Sequence, residues 1–214
     1  MAGEKDCGWL LFLDGCMPTG ELRACVLSGG ASRRMGCDKA LLPHPNGGVW
    51  LSELVSQLRA LSLSVVVVTG HSSHQQLLHG RTGVELLAEQ PAGLGPLHAL
   101  GQLVAAEPQQ EAWLVVPVDM PLLSSALLKR LIQAWKLDPC QAAVADDGQR
   151  LQPLLGIYPT SEMFAASLHQ QLSEGDRRWM HWLERIPYRA VLFGADQLRN
   201  FNAVSDLAAL SDAR

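Results

Sequence analysis

Residues 27–39, LSGGASRRMGCDK, combine the features that a phosphate-binding loop requires. They follow a short, mostly apolar run, residues 22–26, which is typical of a buried strand. Gly29 and Gly30 allow the backbone to turn sharply with its N–H groups exposed. Positive charge close to those groups comes from Arg33, Arg34 and Lys39. Because oriented N–H groups and basic side chains bind phosphate oxygens, the segment predicts a polyphosphate site.

The spacing within this loop differs from two common nucleotide-binding patterns. A Walker A loop needs glycine, then lysine, then serine or threonine, whereas Gly36 is followed by Cys37 and Lys39 by Ala40. Gly29 and Gly30 also lack the spacing of the dinucleotide fingerprint G-x-G-x-x-G. We therefore interpret the segment as a phosphate-binding loop of a third kind. Cys37 is interpreted as an ordinary small residue, since the sequence places no base beside it.

An acidic residue, Asp119, comes directly after a second apolar run, residues 113–118. Pro121 ends the strand that this run predicts and turns the chain away. An aspartate at a strand end is often a helix cap, but Ser124 can already cap the next helix. Asp119 is therefore a candidate for a chemical role.

The elements that must position these residues alternate between strands and helices. Strands are predicted over residues 22–28, 65–69, 84–88, 112–118, 140–145, 154–158 and 188–193. Helices are predicted over residues 50–61, 72–79, 95–106, 124–135, 160–172, 177–184 and 204–210. The alternation predicts an α/β fold with a single doubly wound, mostly parallel sheet flanked by helices. Ligands bind such sheets at the carboxyl ends of strands, where both the glycine loop and Asp119 are expected.

Length and composition indicate one domain with a single core. The chain has 214 residues, of which 48% are hydrophobic, and a net charge of −4, which does not indicate a nucleic-acid partner. No apolar run reaches the roughly 18 residues of a membrane span. The five cysteines are odd in number and form no C-x-x-C pair. This argues against a zinc site and a disulfide framework and favours reduced thiols in a cytoplasmic protein.

The first residues are expected to lie outside the fold. Residues 1–20 precede the first predicted strand and are interpreted as a leader, so that the domain spans residues 21–214. Met17 is followed by PTGEL, a natural beginning, and we hypothesise that it is the native start. Intact-mass analysis of protein from its own host would refute this if the terminus were Met1 or Ala2.

The pattern L-[A/S]-G-G-x-S-x-R-M-G-x-D-K in residues 27–39 resembles the signature of the nucleotidyltransferases that modify molybdenum cofactor, and more narrowly of the guanylyltransferases. The resemblance extends over residues 22–211. It implies transfer of GMP from Mg-GTP to the phosphate of molybdopterin, with release of pyrophosphate. It also implies that the triphosphate is held by Leu27, Ser28, Gly29 and Gly30, and that charge is offset by Arg33, Arg34 and Lys39.

The same resemblance extends to the second and third loops. Asp119, in VDMPLL, matches the metal-binding aspartate of the family, and Mg²⁺ prefers one or two carboxylates together with phosphate oxygens and water. Residues 95–97, GPL, match a nucleotide-binding segment of the family. The implied nucleotide contacts are Thr69, Glu89, Gly95, Pro96 and Leu97. For Glu89 the alternative is an exposed loop residue.

Weaker matches concern the acceptor. Arg177 and Arg178 resemble a basic segment before a helix that faces the acceptor phosphate, and the alternative is a solvated helix start. Asn202 resembles a family asparagine, although Ala203 and Val204 replace the usual threonine and proline. A local turn-stabilising role is the alternative for this asparagine.

The choice of base and of reaction leaves alternatives open. LSGG and GPL favour GTP, whereas VVTG at residues 67–70 is similar to the relatives that use CTP. The alternatives are a cytidylyltransferase on the same acceptor, a nucleotidyltransferase on another phosphorylated acceptor, an oxidoreductase on a similar sheet, and a non-catalytic GTP-binding protein that delivers cofactor. Molybdoenzymes or cofactor chaperones are the expected protein partners, with no nucleic-acid or membrane partner.

Three histidines, His71, His74 and His79, lie on a polar segment without a matching carboxylate cluster. They are predicted to be surface side chains rather than metal ligands. The sequence also offers no convincing Ser–His–Asp or Cys–His arrangement. This agrees with a reaction whose nucleophile is already an anionic phosphate.

Overall fold

The structure is a computed structural model that describes residues 21–29, 38–44 and 47–201. Its strands are β1 (Leu22–Leu27), β2 (Val65–Val68), β3 (Val84–Leu87), β4 (Ala112–Pro117), β5 (Ala142–Asp146), β6 (Leu151–Pro159) and β7 (Tyr188–Leu192). They form one seven-stranded sheet in the order β3-β2-β1-β4-β6-β5-β7. β6 runs antiparallel to both of its neighbours, and the other pairings are parallel. The predicted single, mostly parallel sheet is confirmed.

Helices cover both faces of this sheet, as a doubly wound fold requires. They are α1 (Trp50–Ala60), α2 (Ser72–Leu78), α3 (Pro96–Ala106), α4 (Ser125–Lys136), α5 (Glu162–Ser173) and α6 (Trp179–Leu183). Buried side chains of α1, α2 and α4 form one core layer, and those of α3, α5 and α6 form the other. The helix predicted over residues 204–210 lies outside the described residues.

The apolar runs of the sequence correspond to strands that are buried on both faces. In β2, Val65 and Val67 join one core layer while Val66 and Val68 join the other. A polar side chain on either face would lie in an apolar layer, so alternation of polar and apolar residues is lost. This is why four consecutive valines form a central strand.

The chain reverses its direction of winding between β1 and β4. From β1 the chain proceeds outward through β2 to β3, and β4 then pairs with the opposite edge of β1. Leu27 and Pro117 are register partners, and the N–H of Val118 donates to the carbonyl of Leu27 at 3.2 Å. The loops after β1 and β4 therefore leave the sheet side by side, at the kind of switch point where α/β proteins bind ligands.

β6 is longer than the sequence predicts. It begins at Leu151, three residues before the predicted start, because Asp147 accepts the backbone N–H groups of Gln149 and Arg150 and closes a tight hairpin with β5. The pairing of β5 with β6 therefore begins at the register partners Asp146 and Leu151.

The cysteine expectation is correct for one residue and wrong for another. Cys25 is a free thiol in the core, and burial raises its pKa to about 12. Cys140, by contrast, is disulfide-bonded. An odd number of cysteines excludes complete pairing but not a single bond, which depends on spatial proximity rather than on counting. Among the described residues, every helix is too short or too polar to cross a lipid bilayer.

Candidate nucleotide-binding site

A cavity of about 300 Å³ opens at the carboxyl ends of β1 and β4. Its lining includes the predicted site residues Leu27, Ser28, Gly29, Lys39, Pro96 and Asp119. Residues that the sequence interpretation did not assign to the site also line it: Asp38, Ala40, Pro117, Val118 and Leu154. The volume lies at the lower end of the range for small-molecule pockets. The two described ends of the predicted loop and the predicted aspartate thus share one cavity.

Lys39 and Asp119 face each other in this cavity. The Lys39 Nζ lies 3.9 Å from the Asp119 Oδ2, and their side chains are 16% and 32% exposed. Partial burial raises the pKa of Asp119, while the Lys39 charge and a backbone hydrogen bond act in the opposite direction. A cation and a partly desolvated carboxylate therefore meet where a charged ligand would enter.

Local structure fixes the start of the segment that carries Lys39. Lys39–Leu41 forms a short 3₁₀ helix, and the Ala40 N–H donates to the Asp38 Oδ1 at 3.0 Å. A side-chain oxygen that accepts from a first-turn amide is a helix N-cap. Asp38 therefore determines where this helix begins, and Lys39 is its first residue.

The acidic side chains of the cavity suit a metal that is shared with its substrate. Within the described ranges, no group of three or more histidine, cysteine, aspartate or glutamate side chains converges on one point. Such a group is what a closed zinc site needs. Mg²⁺, by contrast, is often held by one or two carboxylates, with phosphate oxygens and water completing its shell. Asp119 fits that second arrangement.

A buried hydrogen-bonded chain lies beside the cavity. The His74 Nε2 is 2.7 Å from the Asp38 Oδ2, and its Nδ1 is 2.7 Å from the Thr69 Oγ1 and 3.3 Å from the Ser28 Oγ. His74 is fully buried, so the prediction of a surface histidine is wrong for this residue. The reason is helical spacing: His74 and Leu78 lie one turn apart on the inward face of α2.

Thr69, predicted to contact the nucleotide, lies behind the cavity. Its side chain is buried, and its hydroxyl contacts His74 and accepts the His71 N–H at 3.1 Å. The structure therefore places this hydroxyl in the wall of the site rather than at its surface.

Glu89 shapes the loop that leads to α3. Its Oε2 accepts the Gly93 N–H at 3.0 Å, and its Oε1 accepts the Gly95 N–H at 2.7 Å. Gly95 has a φ of +96°, which favours glycine, and Pro96 follows as the first residue of α3. Pro96 lines the cavity, whereas the next residue, Leu97, is buried in the core. Glu89 thus holds the loop that presents Pro96.

The predicted acceptor residues are placed elsewhere or lie outside the described residues. Arg177 and Arg178 are exposed just before α6, outside the lining of the cavity, and both oxygens of Asp176 accept from the Arg178 guanidinium at 2.9 Å. The arginine holds the pKa of Asp176 well below its usual value. The remaining predicted site residues lie outside the described residues: Gly30, Arg33, Arg34 and Asn202.

A doubly wound sheet with a glycine-containing loop, a lysine and an aspartate at its switch point is characteristic of α/β proteins that bind phosphorylated nucleotides. Residues 24–187 match the model of the MobA-like NTP transferase domain. The match covers more than half of the chain, and the protein belongs to this family.

Individual relatives agree with this assignment. A protein of Rhodopirellula baltica is 35% identical over 87% of this chain and 90% of its own length. A Shewanella protein named molybdenum cofactor guanylyltransferase is 30% identical over 85% of this chain and 89% of its own length.

Solved structures show the same fold. The molybdopterin-guanine dinucleotide biosynthesis protein A of Archaeoglobus fulgidus superposes with a TM-score of 0.68 at 21% identity, covering 89% of this chain and 97% of that one. A Mycobacterium tuberculosis protein described as a complex with manganese superposes with a TM-score of 0.64 at 14% identity, covering 90% and 99%.

Proposed function

We propose that this protein transfers GMP from GTP to the phosphate of molybdopterin, with or without bound molybdenum, and releases pyrophosphate. The observation that carries the proposal is the pair formed by Lys39 and Asp119, whose charged groups lie 3.9 Å apart in the switch-point cavity. Membership of the MobA-like family and the name of the Shewanella relative support the choice of reaction.

The proposed transfer requires the neutralisation of phosphate charge and does not require a general base. An oxygen of the molybdopterin phosphate forms a bond to the α-phosphorus of GTP, and the bond from that phosphorus to the bridging oxygen of the β-phosphate breaks. The nucleophile is already an anion, so a general base is unnecessary. Catalysis then depends on positioning the two phosphates and on neutralising their charges.

The residues of the cavity fit these requirements. Ser28 and Gly29 line the cavity, and their backbone would hold the triphosphate. We assign Gly30, Arg33 and Arg34 to the same role because the sequence pattern of residues 27–39 resembles that of the family. Lys39 offsets the charge that accumulates on the departing pyrophosphate.

Asp119 would hold a divalent cation, which we propose is Mg²⁺ and which would neutralise charge at the phosphate oxygens. The manganese complex of the Mycobacterium tuberculosis protein supports a divalent metal in this fold.

Further parts of the proposal concern the acceptor and the cell. We assign Arg177, Arg178 and Asn202 to the acceptor side, and Glu89, Gly95 and Leu97 to the support of the nucleotide. The proposed location is the cytoplasm, and molybdoenzymes or cofactor chaperones are the proposed recipients of the product.

A competition assay tests the reaction and the base together. Purified protein, Mg²⁺, molybdenum-bound molybdopterin and equal concentrations of GTP and CTP are mixed, and the products are identified by mass spectrometry. A guanine dinucleotide is the expected product. A cytosine dinucleotide would retain the mechanism but overturn the base, in line with the VVTG turn at residues 67–70. GTP binding without either product would overturn the transferase assignment.

A further inference from the structure

His74 contacts both ends of the predicted phosphate-binding loop. On one side, the Ser28 Oγ lies 3.3 Å from its Nδ1, directly before Gly29. On the other side, the Asp38 Oδ2 lies 2.7 Å from its Nε2, directly before Lys39. The ring thus connects the residue at which the chain leaves β1 to the residue at which the 3₁₀ helix starts.

The hydrogen bonds of this ring are satisfied by its neutral form with the proton on Nε2. A carboxylate only accepts, so the Nε2 of His74 carries the proton that is donated to Asp38. The Nδ1 is then an acceptor whose lone pair is shared by two donors. The Thr69 hydroxyl donates to it at 2.7 Å while accepting the His71 N–H, and the Ser28 hydroxyl is the more distant donor at 3.3 Å. Burial lowers the pKa of His74, although the Asp38 carboxylate acts in the opposite direction. The lowered pKa favours the neutral ring that this hydrogen-bond pattern needs.

The two oxygens of Asp38 connect this ring to Lys39. One oxygen accepts from His74, and the other accepts the N–H of Ala40 and caps the 3₁₀ helix. Rotation of the carboxylate would break one of these bonds. A fixed ring therefore fixes the carboxylate, which fixes the helix start and with it the backbone of Lys39.

We propose that His74 is a positioning residue of the nucleotide site, which joins the two ends of the phosphate-binding loop and thereby places Lys39 opposite Asp119. The inference rests on the proposed function, because Lys39 is taken to bind the triphosphate. His74 itself is absent from the lining of the cavity, so its effect is transmitted through Asp38 and Lys39. It acts on GTP affinity and leaves the affinity for the acceptor unchanged.

The test compares His74→Leu with the conservative His74→Gln, whose amide N–H can still donate toward Asp38. His79→Leu is the matched control, since His79 is exposed at the end of the same helix. Calorimetry of Mg-GTP without acceptor gives the Kd, and steady-state assays give kcat and KM for each substrate. Each His74 variant is also made in the Lys39→Ala background, because residues that act through one another are not additive.

The expected result is a rise of about 10-fold in the Kd for GTP in His74→Leu, since small misplacements of binding groups are costly. His74→Gln should recover most of that loss, and the KM for the acceptor should stay constant. In the Lys39→Ala background, His74→Leu should add less than about 2-fold.

Three results would overturn the inference. For His74→Leu, these are a GTP affinity equal to that of His79→Leu, a full additional loss of GTP affinity in the Lys39→Ala background, or a loss of affinity confined to the acceptor. If His74→Leu does not fold, Asp38→Asn decides the question by the same readouts. The wild-type protein separates the two claims: GTP binding without product formation defeats the proposed reaction while the His74 test stands.

Discussion

The position of Asp119 disfavours the charged form of its carboxyl group. It lies in the cavity wall after β4, where burial raises its pKa and Lys39 only partly offsets the effect. Such a carboxylate gains most from a cation that binds beside it. A single aspartate in this position can therefore serve as the metal ligand that we propose.

Replacement of Asp119 by alanine should lower turnover by at least about 100-fold, which is typical of losing a preorganised electrostatic partner. The fold should be retained, because the side chain lies in the cavity wall rather than in the core. Steady-state kinetics with circular dichroism checks both expectations. Asp196→Ala, at an exposed position, is the matched control and should behave like the wild type. Near-normal turnover in Asp119→Ala would refute the assignment.

Lys39→Ala should weaken GTP binding and also change the pH dependence of kcat/KM. The lysine charge lowers the pKa of Asp119, so its removal raises that pKa further. Activity falls as the pH decreases through the pKa of a metal-binding carboxyl, because the protonated form is a poor ligand. The acidic limb of the profile should therefore move to higher pH. A limb that stays in place would show that Lys39 does not act on Asp119.

The site residues that could be predicted from the sequence were those that lie in local patterns. The positions of Gly29 and Asp119 in the cavity were predictable because each follows a strand that is evident from its composition, and that of Lys39 because it belongs to the loop pattern of residues 27–39. The spacing of His74 and Leu78 on α2 could have indicated a buried histidine. Its partners Asp38 and Thr69 were not predictable, since they lie in separate loops that meet the ring only in the folded chain.

At the scale of elements, the loop before α3 depends on one side chain. Both oxygens of Glu89 accept backbone N–H groups, from Gly93 and Gly95, and so fix the approach to Pro96. The sequence indicated that Glu89 and the GPL segment belong to the site, but not that the carboxylate bonds its own loop. Hydrogen bonds between neighbours in a loop leave no periodic pattern that a sequence could display.

Glu89→Gln should loosen this loop. The glutamine amide has one acceptor oxygen in place of two, and so one of the glycine N–H groups loses its partner. Hydrogen exchange measured by mass spectrometry should show faster exchange over residues 90–95, with β2 and β4 unchanged. Glu162→Gln, at an exposed position of α5, is the control and should leave that segment as it is in the wild type. Unaltered exchange in Glu89→Gln would mean that the loop is held by other contacts.

The strand and helix pattern was predictable almost throughout the described chain, because helix faces and buried strands repeat over many residues. The start of β6 was missed by three residues, since it depends on the hairpin that Asp147 closes. The antiparallel direction of β6 follows from that same hairpin. A strand's composition does not specify which way it runs.

For the whole molecule, burial of the Asp119 carboxylate lowers the free energy of unfolding at neutral pH. A carboxyl whose pKa is raised by folding destabilises the native state at every pH above its ordinary value, 3.8, because the unfolded chain holds the charge more easily. Asp119→Asn should therefore raise the free energy of unfolding at neutral pH, and the gain should vanish as the pH falls below that value. Urea denaturation of both proteins at several pH values measures the difference. Equal stability at neutral pH would contradict this account.

The antiparallel strand also has a consequence for how the molecule is made. β4 pairs with β1 on one side and with β6 on the other, and β6 also contributes Leu154 to the cavity wall. While the chain emerges from the ribosome, a nascent protein that ends before Leu151 presents β4 as an open apolar edge, of the kind that invites aggregation. The ribosome must therefore translate β6 before the cavity wall can be complete. We expect the protein to bind nucleotide only late in its synthesis.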